Sequence, residues 1–110
     1  MKQYLIDEIR LQDLGKLKAY LDDTFGESGI DGLYWLPLDE ACFNDVQRDH
    51  EACAPFFMAL ELGEDRLSAE LLVRTRSRVR CDCMHYADER QRSWLVQTVD
   101  AIFDNLEIIT

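Results

Sequence analysis

Apolar residues recur along this chain with two periods, and the points where the period changes outline its elements. From Leu11 to Phe25, residues Leu14, Leu17 and Leu21 fall at helical spacing and Tyr20 widens the stripe. Gly26 stands where a C-terminal glycine belongs, so this segment predicts a helix. A second helix is expected from Glu40 to about Cys53, with Asp39 as its N-cap and Pro55 as its stop. On it Cys42, Phe43, Val46, His50 and Cys53 lie within about 100° of arc and would form the buried face. A third begins at a capping box spelled by Asp88 and Gln91. Its stripe is Leu95, Val99, Ile102 and Leu106, widened by Val96 and Phe103, with Trp94 off it.

The other period is two. Gln3 to Ile9 reads as a short strand with imperfect alternation, and Leu33 to Leu38 as one that Pro37 confines to an edge or an end. Phe56 to Leu62 is a strongly apolar strand closed by the turn residues Gly63, Glu64 and Asp65. Alternation then runs from Leu67 to Tyr86, with Leu67, Ala69, Leu71, Val73 and Thr75 on one side and Ser68, Glu70, Leu72 and Arg74 on the other. That length exceeds an ordinary strand, so a bend or turn is expected near Thr75 to Arg78. The sequence therefore predicts an α+β fold. A mainly antiparallel sheet of four to five strands carries three helices packed largely on one face, in a single domain over residues 1–110.

Charge narrows the function classes. Twelve basic against 22 acidic residues give a net charge of −10, which repels nucleic-acid phosphates. No apolar window is long enough to cross a bilayer, and a cytoplasmic location is expected. The charge is uneven: residues 1–65 hold 5 bases and 15 acids, whereas residues 66–92 hold 7 bases and 4 acids. Three glycines at intervals of three, Gly26, Gly29 and Gly32, suggest a phosphate loop, but Glu27 and Asp31 and the absence of a GK[ST] ending mark a plain connection.

Two constellations carry candidate chemistry. Arg74, Arg76, Arg78 and Arg80 alternate on one strand face, a row able to hold an anion or an acidic partner, or to be neutralised by acids such as Glu61, Glu64 and Glu70. Cys81, Cys83 and His85, with His50 and Cys53, are ligand types for zinc. Residues i and i+4 of a straight strand lie about 13 Å apart, so Cys81 and His85 share a metal only if the strand bends. Core thiols are the competing reading, with Cys42 a spare in either case. A dyad of Cys53 with His50, or Cys83 with His85, is the only nucleophilic pairing the spacing offers, and no oxyanion loop accompanies it. The expected function is a non-catalytic protein-interaction or adaptor module without a cofactor, acting through the arginine-bearing sheet face or by self-association. Tyr34, Trp35 and Trp94 are candidate interface anchors, and a homodimer is one expected assembly. The alternative is a zinc-binding or thiol-based regulatory domain.

Overall fold

The structure is a computed structural model describing residues 2–75 and 83–110. Among the described residues, five antiparallel strands form one open sheet: β1 (Gln3–Ile6), β2 (Leu33–Pro37), β3 (Phe56–Leu62), β4 (Leu67–Glu70) and β5 (Arg74–Thr75). The order is β1-β4-β3-β2, with β5 beside β3 beyond the end of β4. The described residues also form three α-helices: α1 (Leu11–Phe25), α2 (Asp45–Asp49) and α3 (Glu89–Asn105). This is the α+β arrangement that the two periods predict.

Strand registers put Tyr34, Leu36, Phe56, Met58, Leu60, Leu67 and Ala69 on one face, all buried. Leu17 and Leu21 of α1 and Leu95, Val99, Ile102 and Phe103 of α3 complete the same core. Cross-links fix the helices on that face: Tyr4 donates to Asp100 of α3 at 2.6 Å, and Tyr34 donates to Asp22 of α1 at 2.5 Å. Phe43 meets Phe56 edge-on, with ring centroids 5.0 Å apart, so the segment before β3 packs there too.

β4 and β5 are one strand with an insertion. Leu60 pairs with Ala69 and Phe56 with Thr75, so four steps along β3 are matched by six along its neighbour. The two extra residues fall within the stretch from Leu71 to Val73, which turns to a new partner. Leu72 bridges Tyr86, Val73 N–H donates to His85 O at 3.0 Å, and Ala87 N–H donates to Leu71 O at 2.7 Å. An even insertion keeps side-chain parity, so Leu67, Ala69, Val73 and Thr75 all remain buried. The turn expected near Thr75 to Arg78 falls largely outside the described residues.

Two expectations need correction. The first strand ends at Ile6, because Glu8 takes a left-handed φ of 55° and Ile9 N–H turns to Asp65 O at 2.8 Å. The helix expected from Glu40 to Cys53 is broken into a 3₁₀ turn (Glu40–Cys42, capped by the Asp39 carboxylate), α2 and a second 3₁₀ turn (Glu51–Cys53). Asn44 is the cause. Its side chain accepts from Gln47 N–H at 2.8 Å while Gln47 Oε1 accepts from Asn44 N–H at 3.0 Å, which restarts the helix one turn in. The buried face rotates accordingly: Gln47 is buried and Val46 is exposed.

Asp13, in the first turn of α1, is fully buried. Its Oδ2 accepts from Arg10 Nε at 2.9 Å and its Oδ1 lies 3.4 Å from Lys16 Nζ. Burial alone raises this carboxyl, but the Arg10 hydrogen bond and the charges of Arg10 and Lys16 outweigh it and hold the group below the usual carboxylate range. A carboxyl lowered in the fold contributes stability above its unfolded pKa of about 3.9, and that contribution is lost as pH falls through the lower folded value. Asp22 is lowered in the same direction by the Tyr34 hydroxyl, against burial, with help from Lys18. Urea unfolding at pH 6 and pH 3 should show wild type losing more stability on acidification than Asp13→Asn. An equal loss in both would remove Asp13 from the acid response.

Candidate functional site: the outer sheet face and the glutamine clasp

The face of the sheet opposite the helices carries Leu5, Leu33, Trp35, Pro37, Phe57 and Ala59, with Gln3, Glu61, Ser68, Glu70 and Arg74 among them. No described helix covers it. Trp35 and Phe57 are half-buried and meet at a centroid distance of 6.3 Å and an interplanar angle of 66°. Pro37 pairs with Phe57, and Phe57 pairs with Arg74, so the aromatic patch adjoins a guanidinium. Trp35, one of the three candidate anchors, is therefore half-buried on this face. Tyr34, the neighbouring candidate, is not: it is 2% exposed, on the core side, because adjacent strand residues face opposite ways. Trp94 is half-buried on α3, on the other side of the sheet. Phe57 was missed as a partner for Trp35, since pairing across strands depends on a register that the sequence does not spell.

Of the arginine row, Arg74 is described and Arg76, Arg78 and Arg80 lie outside the described residues. Arg74 Nε donates to Glu70 Oε1 at 2.6 Å. These residues are four apart in sequence, yet the inserted pair brings them to the spacing of next-but-one neighbours on one face. Arg74 is thereby neutralised by one of the acids named for that role.

The Cys and His residues divide. Cys81 lies outside the described residues. Cys42, Cys53 and Cys83 are buried thiols, and Cys53 O accepts from the Thr75 hydroxyl. His50 Nδ1 donates to Val46 O at 2.6 Å. His85 Nδ1 donates to Tyr86 O at 2.8 Å, which leaves Nε2 to accept from Asn44 Nδ2 at 2.9 Å. Both imidazoles are held by local backbone carbonyls, and among the described residues no three His, Cys, Asp or Glu side chains are grouped to hold a metal.

What fills the space between α2, α3 and the chain at Cys83 is a pair of amides. Gln91 Nε2 donates to Gln47 Oε1 at 2.8 Å and to Cys42 O at 3.0 Å, and Gln47 Nε2 donates to Cys83 O at 3.3 Å. Gln91 Oε1 also accepts from Asp88 N–H at 3.1 Å, closing the capping box of α3. Both glutamines are buried, and each is the third residue of its helix. Two capping boxes are therefore clasped side chain to side chain. Asn44-x-x-Gln47 has the same spelling as Asp88-x-x-Gln91, so this signal was present in the sequence.

A cleft of about 260 Å³ opens between α1 and the glycine loop. It is lined by Asp22, Glu27 and Asp31, and its one lysine, Lys18, is 3.3 Å from the Asp22 carboxylate. That is an acidic lining unsuited to phosphate, in keeping with a connecting loop. No protein-family model, no curated protein and no solved structure matches the chain. No helix among the described residues is long and apolar enough to cross a membrane.

Proposed function

We propose that this chain is a non-catalytic interaction domain that docks a protein partner on the sheet face opposite the helices. The observation that carries the reading is the Trp35–Phe57 edge-to-face pair, half-buried on the face of the sheet to which no described helix is packed. Aromatic side chains in such positions bury large areas at little entropic cost and dominate interface energies. Arg74, adjoining Phe57, supplies a polar rim of the kind that fixes orientation at an apolar centre. Buried thiols and carbonyl-bound imidazoles support a structural role for the described cysteines and histidines.

The test compares wild type, Trp35→Ser with Phe57→Ser, and a control, Leu11→Ser, altered at an 85% exposed position elsewhere. Each is immobilised and offered an extract of its native cell, with bound proteins quantified by mass spectrometry. A specific partner kept by wild type and control should bind the face variant at least about 30-fold more weakly, since truncating an interface anchor costs about 2 kcal/mol or more. Identical capture by all three folded proteins would overturn the reading.

A further inference from the structure

The two edges of the sheet are finished differently, and this observation is independent of the aromatic face. Along β2, Leu62 N–H donates to Gly32 O and Leu38 N–H to Phe56 O, so the even-numbered residues face β3 and Leu33, Trp35 and Pro37 face outward. Leu33 N–H is taken by Ile30 O at 3.1 Å and Pro37 has none, which leaves Trp35 as the one outward donor of that strand. This is a protected edge.

β1 has no such protection. Leu71 N–H donates to Lys2 O, which sets Lys2, Tyr4 and Ile6 toward β4 and turns the N–H and C=O of Gln3 and Leu5 outward. Among the described residues no backbone group bonds to them. Leu5, 39% exposed, is one of the few large apolar side chains left to solvent. The strand also has opposite charges at its ends, Lys2 at one and Asp7 with Glu8 at the other.

We infer that β1 pairs antiparallel with β1 of a second copy of this chain, across a two-fold axis at Leu5. In that register Leu5 exchanges both backbone hydrogen bonds with Leu5 of the second copy. Tyr4 stands opposite Ile6, and beyond the strand ends Lys2 of each copy approaches the acidic pair Asp7 and Glu8 of the other. A parallel approach would instead place the acidic ends together, so the charges themselves select the two-fold arrangement. The two sheets become one, and each copy covers the other's open edge.

Sedimentation velocity from micromolar to near-millimolar protein tests this, at about 0.15 M salt, where the Debye length of about 8 Å screens repulsion between the acidic bodies. Wild type should show a monomer–dimer equilibrium. Leu5→Lys places two ammonium groups at the axis while lysine remains an ordinary edge residue, and should raise the dimer Kd at least about tenfold. Lys2→Glu should weaken the dimer, and Lys2→Glu combined with Glu8→Lys should restore it. A wild type monomeric throughout, or a dimer that Leu5→Lys leaves intact, overturns the inference. A dimer lost on Trp35→Ser but not on Leu5→Lys would assign self-association to the aromatic face, removing the β1 pairing and leaving the face reading in place.

Discussion

Replacing Gln91 with Leu should lower the unfolding free energy by about 3 kcal/mol, although the new side chain is apolar, similar in size and placed in the core. Three groups lose their partner at Gln91: Cys42 O, Asp88 N–H and the Gln47 side-chain oxygen, of which the last keeps only Asn44 N–H. Leaving buried polar groups unsatisfied costs about 1 to 3 kcal/mol each, and replacing one partner alone exposes that cost in full. Gln47→Leu should be destabilising too, and the double variant should lose less than the sum of the singles, because the bond between the two amides is broken only once. Urea unfolding midpoints at unchanged slope give all three values. A loss below about 1 kcal/mol for Gln91→Leu would mean that the clasp is replaceable by packing.

Gly32→Ala should cost about 2 to 3 kcal/mol, against about 1 kcal/mol for Gly29→Ala. Both glycines hold left-handed backbone, with φ of 80° and 94°. A Cβ on Gly29 would meet open space, whereas on Gly32 it would lie 2.7 Å from Leu62 O. That carbonyl belongs to the residue whose N–H donates to Gly32 O at 2.7 Å, so relieving the clash would disturb the end of the β2–β3 ladder. The difference between the two variants in thermal unfolding isolates the steric part from the conformational part. Equal costs would show that the strand end gives way freely.

These two sites also show where sequence reading reached and where it stopped. α1 and the capped start of α3 were legible because each carries both a stripe and a terminus signal. The segment from Glu40 to Cys53 was misread because its apolar residues happen to fit one helical arc, while the break is enforced by Asn44, whose side chain acts locally on Gln47. Alternation from Leu67 to Thr75 put Leu67, Ala69, Val73 and Thr75, all buried, on one side but hid the insertion at Leu71–Val73, since two extra residues leave parity untouched. The Glu70–Arg74 pair follows from that insertion, so its partner was nameable and its geometry was not. Trp35 was legible as a half-apolar strand residue. Its contact with Phe57 required the register of β2 on β3.

The joined capping boxes have a consequence for how this molecule opens. Helix ends ordinarily fray one at a time, each at its own small free energy. Here the first turn of α2 and the first turn of α3 lie 44 residues apart in sequence, yet each glutamine side chain that closes one box is bonded to the glutamine that closes the other. Unwinding either end strips a hydrogen bond from its counterpart. Opening of one helix start is therefore coupled to opening of the other by the energy of the shared amide bond, a link between two ends that sequence separation alone would leave independent.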